Sequence, residues 1–209
     1  MTKGLAPRHF SMIRGFHLAD AFTLANAACG VAGVLMAMRY LTSHDANDLL
    51  IAAAFAPAAL FFDVLDGRIA RWRHTSSALG RELDSLADVI SFGVAPAALA
   101  YAIGLTGLWD AVVLVCFVCC GVSRLARYNV TAETLSEDSG KVAYFEGTPI
   151  PTSVLLTAVL AFAAWQGRIG AGVYGGEWTV LGGALHPLAL MFALSGTLMV
   201  SKTLRIPKF

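Results

Sequence analysis

Long apolar segments run through this sequence of 209 residues and restrict what it can fold into. Charged residues make up 14% of the chain and hydrophobic residues 57%, so a water-soluble protein of this size would have too few charges to cover its surface. The same composition excludes an intrinsically disordered chain, and the net charge of +1 gives no case for nucleic-acid binding. The sequence therefore predicts an all-α integral membrane protein.

A helix needs roughly 20 apolar residues to cross a membrane, and six segments are candidates for such helices. The shorter segments reach this length only when their flanking residues are included. The six segments are residues 18–41, 48–62 with a charged extension through 73, 83–104, 109–122, 151–166 and 180–200. No soluble domain fits between them, so we expect a single transmembrane domain over residues 1–209. The acidic stretch 133–138 is expected to be a solvated loop.

The distribution of Lys and Arg predicts the orientation of these six helices. Of the 15 Lys and Arg residues, only Arg39 and Arg168 fall on the side opposite the termini. Because basic residues concentrate in cytoplasmic loops, we expect both termini on the cytoplasmic side of a plasma membrane or bacterial inner membrane. Residues 1–17 have apolar side chains at helical spacing beside Arg8 and Arg14. This pattern fits a short amphipathic helix along the cytoplasmic interface, or equally a loosely ordered tail.

Four aspartates interrupt the apolar pattern. Asp63 and Asp66 lie three residues apart at the end of one predicted helix, and Asp84 and Asp88 lie four apart at the start of the next. Residues at these spacings share one face of a helix. The residues between the pairs are numerous enough for the two helices to run antiparallel. All four carboxylates can then converge at the cytoplasmic edge of the membrane.

Convergent carboxylates repel one another and are costly to bury, so they need a positive partner. An all-oxygen ligand set favours Mg²⁺ or Mn²⁺, and two such ions would suit phosphoryl chemistry among Asp63, Asp66, Asp84 and Asp88. The alternative is a structural cluster of salt bridges from four arginines: Arg68, Arg71, Arg73 and Arg81. Either a phosphate or another helix could approach the small residues beside the acids, which are Gly67, Ala70 and Gly80.

The order of these residues resembles the motif of one enzyme family. Asp63-x-x-Asp66-Gly67-x-x-Ala70-Arg71, followed by Gly80-x-x-x-Asp84-x-x-x-Asp88, is similar to the motif of the CDP-alcohol phosphatidyltransferases. The resemblance implies that family's six-helix fold, a homodimer and two divalent cations bound among the four aspartates. It also implies that the CDP group of the substrate lies near Asp66, Gly67, Ala70, Arg71 and Gly80.

Three further stretches, residues 91–96, 120–129 and 145–151, resemble the phosphatidylserine synthase branch of this family. The spacing Thr23-x-x-Asn26 fits the branch as well, although Ala-Asp stands at positions 19–20 where the branch usually has Pro-Asn. The resemblance implies transfer of the phosphatidyl group from CDP-diacylglycerol to L-serine, which gives phosphatidylserine and CMP. It adds Thr23 and Asn26 to the expected CDP contacts, and Ser91 and Asn129 to the expected serine contacts.

The residues also suggest how an acceptor is bound and activated. Arg124 and Arg127 lie three apart at the cytoplasmic end of the fourth helix, and two guanidinium groups can grip the carboxylate of serine. Ordinary positive-inside anchoring explains the same pair equally well. Asp88 lies one turn beyond Asp84 toward the membrane interior, where an acceptor hydroxyl would need a base. We therefore expect Asp88 to be the general base, with a smaller share in metal binding.

Two other functions stay open at this point. The same chemistry could use another acceptor alcohol, such as glycerol 3-phosphate, inositol or choline. A cation-coupled transporter would also use intramembrane acids, but its charges should lie near the membrane midplane. The acids of this sequence cluster at one face, which favours the enzyme.

Overall fold

The computed structural model describes residues 18–73, 78–137, 144–201 and 205–207, with side chains outside the description at positions 18, 70, 71, 73, 78, 131–137, 144–146 and 205–207. Four helical segments are long and apolar enough to cross a membrane: Ala19–Ser43, Ala46–Ile69, Leu79–Ile103 and Leu108–Val130. Large apolar side chains such as Phe61, Val115 and Leu155 are exposed on the outside of the bundle. Such a surface suits lipid rather than water, and the chain is an integral membrane protein.

The described part of the chain is mostly helical. The helices are α1 (Leu18–Ser43), α2 (Ala46–Arg73), α3 (Ala78–Asp88), a π-helical turn (Val89–Val94), α4 (Ala95–Ile103), α5 (Leu108–Glu137), α6 (Val154–Trp165) and α7 (Leu190–Val200). Short 3₁₀ turns, Ile150–Ser153 and Pro187–Ala189, precede α6 and α7. The strands are β1 (Tyr144–Glu146), β2 (Trp178–Val180), β3 (Gly183–Leu185) and β4 (Arg205–Pro207), paired antiparallel as β1–β4 and β2–β3.

A tight turn joins α1 and α2 and makes them antiparallel neighbours. Asp48 accepts a hydrogen bond from the Ser43 hydroxyl at 2.6 Å and pairs with Arg39 at 3.4 Å. Thr23 and Asp66 lie about equally far along the chain from this turn, so the hairpin brings the start of α1 beside the last third of α2. We call this end of the bundle the carboxylate end.

The third membrane segment is an α-helix with a π-helical turn inside it. The turn begins directly after Asp88, and the backbone N–H of Ala95 bonds the carbonyl of Ile90, five residues back. Three consecutive residues of the turn, Ser91 to Gly93, are buried. The turn packs against α1 and also against α5 and the 3₁₀ turn that precedes α6.

At the end of the bundle opposite the carboxylates, α5 is attached to the hairpin of β2 and β3. The buried carboxylate of Asp110 accepts hydrogen bonds from the backbone N–H of His186 at 2.7 Å and from the backbone N–H of Gly107 at 2.9 Å. The His186 ring nitrogen Nδ1 lies 2.6 Å from the same carboxylate. Trp109 donates its indole N–H to the carbonyl of Val180 at 2.7 Å.

The structure confirms a helical membrane protein and corrects several predicted boundaries. Four of the predicted spans correspond to long apolar helices, whereas the last two are the shorter segments Ile150–Trp165 and Pro187–Val200. The predicted span 180–200 is wrong in its first part, because residues 178–185 form a hairpin. The acidic stretch is also helical as far as Glu137, since α5 continues well past residue 122. Residues 1–17, predicted to lie at the interface, are outside the described residues.

Candidate active site

Three of the four predicted aspartates form a tight carboxylate cluster. Asp63 and Asp66 of α2 and Asp84 of α3 each offer one carboxylate oxygen, and these three oxygens lie within 4.8 Å of one another. Helical spacing puts Asp63 and Asp66 on one face of α2, and α1 packs against both α2 and α3. The tertiary fold therefore brings together acids that are about 20 residues apart in sequence.

The carboxylate cluster fits a divalent cation. Asp66 is only 5% exposed, and the Oδ1 atom of Asp84 is buried without a hydrogen-bond partner among the described residues. An unpaired carboxylate oxygen close to two other carboxylates is costly unless a positive charge balances it. Ligands that are all oxygens suit a hard divalent ion. The residues present thus satisfy both the charge and the ligand chemistry of such a site.

Thr23 of α1 holds one of these acids. Its hydroxyl donates a hydrogen bond to Asp66 Oδ2 at 2.7 Å, and both side chains are buried. The contact of Thr23 with CDP stays a prediction; the described hydrogen bond joins Thr23 to a carboxylate of the cluster. The bond orients Asp66 from the side of α1.

Asp88 lies beside the cluster and outside the group of three oxygens. Its Oδ1 atom accepts a hydrogen bond from the side-chain amide of Asn26 at 3.3 Å, and its charge interacts with those of the other three aspartates. Asn26 is fully buried, and its own Oδ1 atom has no hydrogen-bond partner among the described residues. The structure thus separates Asp88 from the three clustered acids while keeping it in their electric field.

Arg124 brings a positive charge to the side of Asp88. Its guanidinium is partly buried on α5 and interacts electrostatically with Asp88 and with Tyr128. The Nε atom of Arg124 is buried without a hydrogen-bond partner among the described residues. A partly buried guanidinium with an unused donor is suited to bind an anionic group. Arg127, one turn further along α5, is also partly buried.

The other predicted serine contacts already have partners within the protein. Asn129 donates its side-chain amide to Ser85 Oγ at 3.0 Å and to Glu82 Oε1 at 3.2 Å, which ties α5 to α3. Ser91 is 1% exposed and donates its hydroxyl to the backbone carbonyl of Asn26 at 2.8 Å. Contacts of Ser91 and Asn129 with serine therefore stay predictions.

The remaining motif positions lie at the same end of the bundle. Gly67 on α2 and Gly80 on α3 are partly buried, while the side chains of Ala70 and Arg71 fall outside the described ones. Arg68, one of the four arginines of the alternative salt-bridge cluster, has an exposed side chain. The ion pairs Arg39–Asp48 and Asp110–His186 lie at the other end of the bundle and do not neutralise the carboxylate cluster.

Comparison with known proteins identifies the family. The sequence model of the family described as CDP-alcohol phosphatidyltransferase matches residues 16–195, a range that contains the carboxylate cluster, Asp88 and their partners on α1. The chain belongs to this family. CDP-alcohol phosphatidyltransferases use divalent metal ions, in agreement with the chemistry of the carboxylate cluster.

Three relatives of this phosphatidyltransferase carry the name CDP-diacylglycerol–serine O-phosphatidyltransferase. The Saccharomyces cerevisiae protein of that name is 43% identical over 205 residues, which are 96% of this chain and 74% of the yeast protein. The Helicobacter pylori protein is 36% identical over 178 residues, covering 84% of this chain and 67% of its own length. The Bacillus subtilis protein is 34% identical over 143 residues, covering 67% and 72%.

Sequence reasoning on this phosphatidyltransferase missed how α1 serves the site. The sequence predicts CDP contacts for Thr23 and Asn26, which stay predictions, but it does not show that these side chains also hold Asp66 and Asp88. One signal was available in the sequence: two polar residues at helical spacing within an otherwise apolar helix. Such residues need buried polar partners, but the pattern cannot say which helix provides them.

Proposed function

We propose that this chain transfers the phosphatidyl group of CDP-diacylglycerol to the hydroxyl of L-serine, giving phosphatidylserine and CMP. The observation that carries the proposal is the 43% identity, over 96% of the chain, to a yeast protein named for that reaction. The geometry supports it independently, because both a carboxylate cluster and a partly buried arginine interact electrostatically with Asp88. The first suits a metal-bound pyrophosphate, and the second suits an anionic acceptor.

Asp63, Asp66 and Asp84 would hold two divalent ions, Mg²⁺ or Mn²⁺, with a smaller contribution from Asp88. When bound, such ions offset the negative charge of the pyrophosphate and of the departing CMP. We assign CDP binding to the residues around this cluster: Thr23, Asn26, Asp66, Gly67, Ala70, Arg71 and Gly80. Gly67 and Gly80 have no side chain to keep a phosphate or a base away from the backbone.

Asp88 is assigned the role of general base. Its carboxylate would accept the proton of the serine hydroxyl as the serine oxygen forms a bond to the lipid-side phosphorus. The bond between that phosphorus and the bridging oxygen breaks, and the bridging oxygen leaves with CMP. A base must lie within hydrogen-bond reach of the proton that it takes. The bond from Asn26 leaves the second oxygen of Asp88 for this task.

Arg124 and Arg127 are assigned to the carboxylate of serine. Arg124 is the better supported of the two, since its charge faces Asp88 and its Nε donor is unused among the described residues. An acceptor held by its carboxylate on Arg124 would present its hydroxyl toward the base. Asn129 completes the proposed serine contacts, although its side chain already makes hydrogen bonds within the protein. We leave Ser91 out of the proposed serine site, because its hydroxyl donates to the backbone carbonyl of Asn26.

We further propose the arrangement of the chain in the membrane. It has six spans in one domain over residues 1–209, with the two shorter helices as the fifth and sixth spans. Both termini and the carboxylate end face the cytoplasm, because basic residues gather on that side. The protein forms a homodimer. A site at the rim of the membrane gives the lipid donor access from the bilayer and gives serine access from water.

An acceptor panel tests the function directly. The purified protein in lipid nanodiscs receives CDP-diacylglycerol, Mg²⁺ or Mn²⁺, and one labelled acceptor at a time: L-serine, glycerol 3-phosphate, inositol or choline. We expect label in the lipid fraction with serine alone, together with one CMP per lipid formed. Label from another acceptor would overturn serine and keep the reaction class, and no label from any acceptor would overturn the class.

A test variant and a matched control variant accompany this panel. Asp84→Asn removes a carboxylate from the cluster and should abolish CMP release, whereas Asp45→Asn changes an exposed acid in the α1–α2 turn and should not. Exhaustive chelation of divalent metal should give the same loss as Asp84→Asn. Full turnover after chelation would contradict the metal assignment.

A further inference from the structure

Asn26 is bound twice by residues from one stretch of the third membrane segment. Its side-chain amide donates to Asp88 Oδ1 at 3.3 Å, and its backbone carbonyl accepts the hydroxyl of Ser91 at 2.8 Å. Asp88 is the last residue of α3, and Ser91 lies in the π-helical turn that follows it. The two bonds together fix the position of this stretch along the axis of α1 and its rotation relative to α1.

Gly30 makes this close approach possible. It lies one turn after Asn26 on α1, and a Cβ atom there would be 2.5 Å from Ser91 Oγ and 2.7 Å from Ser91 Cα. Contacts this short would force the two segments apart. The next glycine on α1, Gly33, faces α2 and α4 instead, and a Cβ atom there would come no closer than 3.3 Å to any of them. The lack of a side chain at position 30 is therefore required specifically by the contact with Ser91.

We propose that Ser91 is a positioning residue that holds Asp88 through Asn26, and that it makes no contact with the acceptor. This inference rests on the proposed role of Asp88 as the base. The single O–H donor of Ser91 is used by the Asn26 carbonyl, and the residue is only 1% exposed, which leaves almost no surface for a substrate. Loss of that bond lets the π-helical turn slide along α1, and Asp88 then moves relative to Asp63, Asp66 and Asp84.

The kinetic signature of such a residue differs from that of a substrate contact. Displacing a catalytic group by about 1 Å can cost about 100-fold in rate without changing how substrates bind. For Ser91→Ala we expect kcat to fall about 10- to 100-fold, while KM for the acceptor changes less than about twofold. A direct serine contact would give the reverse, a raised KM with little change in kcat.

Ser153→Ala is the matched control. Ser153 is as deeply buried as Ser91, but its hydroxyl has no hydrogen-bond partner among the described residues, so its removal should leave kcat unchanged. A second pair tests the steric side: Gly30→Ala should lower kcat like Ser91→Ala, and Gly33→Ala should not. If Ser91→Ala fails to fold, Ser91→Cys fills the same space with a weak donor and should give an intermediate kcat.

Hydrogen–deuterium exchange of the metal-free protein gives a readout that does not depend on turnover. Exchange over residues 88–95 should rise in Ser91→Ala and stay at the wild-type level in Ser153→Ala. The wild-type acceptor panel reports separately on the proposed function, and kcat and KM are measured with whichever acceptor the wild type uses. The inference is overturned if Ser91→Ala raises KM with unchanged kcat, or if kcat, KM and exchange all equal those of Ser153→Ala.

Discussion

Asn26 on α1 donates a hydrogen bond to Asp88 on α3 at 3.3 Å, across 62 residues of sequence. One turn earlier on the same face of α1, Thr23 donates to Asp66 of α2 at 2.7 Å. The first helix thus holds acids from two different helices in one arrangement. The motif aspartates are thus held by a helix that lies outside the stretch from Asp63 to Asp88.

Asp88→Asn tests the role of Asp88. The substitution keeps the shape of the side chain and removes the proton acceptor, so turnover should fall by several orders of magnitude. Binding of CDP-diacylglycerol with metal should stay nearly normal, because Asp88 lies outside the group of three clustered oxygens. Calorimetric titration beside single-turnover rates separates the two effects. A collapse of donor binding together with the rate would make Asp88 chiefly a metal ligand.

Thr23→Val tests whether α1 positions the carboxylate cluster. The substitution preserves volume and removes the bond to Asp66; a hydrogen bond to a charged group contributes about 1.5–3 kcal/mol. We expect the metal concentration that gives half-maximal CMP release to rise about 10-fold or more. Thr42→Val is the control, since Thr42 lies on the same helix with an exposed hydroxyl bonded only to a local carbonyl. Equal metal dependence in both variants would disprove the positioning role.

Arg124→Ala tests the acceptor site. Losing a charge-assisted hydrogen bond should weaken the apparent binding free energy of serine by about 1–3 kcal/mol, which appears as a raised KM for serine. Binding of CDP-diacylglycerol should change little. Arg39→Ala is the control, because Arg39 is an exposed arginine at the opposite end of the bundle. Initial rates over a serine titration, with saturating donor, give the comparison. Weakened donor binding with an unchanged KM for serine would instead put Arg124 on the phosphates or the lipid.

His186→Ala tests the attachment of the hairpin to α5. The substitution removes the side-chain partner of the fully buried Asp110 carboxylate. The carboxylate still accepts hydrogen bonds from the backbone N–H groups of residues 186 and 107. We expect a loss of about 1–3 kcal/mol in the free energy of unfolding and a nearly unchanged KM for serine, because the pair lies far from the carboxylate end. Thr179→Ala, an exposed position on the same hairpin, is the control in the denaturation experiment. Equal unfolding midpoints would show that the pair adds no stability.

Much of the architecture was predictable because its causes are local. The length of an apolar run decides whether a helix can span a membrane, and the first predicted segment differs from α1 by only two residues. The predicted helix boundaries are wrong where an apolar stretch of sequence forms a β-hairpin rather than a helix. Residues 180–185 are as apolar as a helix requires, but the glycines at 182 and 183 and the positive φ of Leu181 form a hairpin turn there.

The sequence by itself determined the class of the site. Spacings of three and four residues put each pair of aspartates on one helix face, and that spacing together with its neighbours predicted the family. Which side chain holds which acid was decided only by the tertiary structure. The bonds from Thr23 to Asp66, from Asn26 to Asp88 and from Ser91 to Asn26 span 43, 62 and 65 residues. Periodicity along one helix indicates which face is polar, but only the packing of one helix against another determines what that face meets.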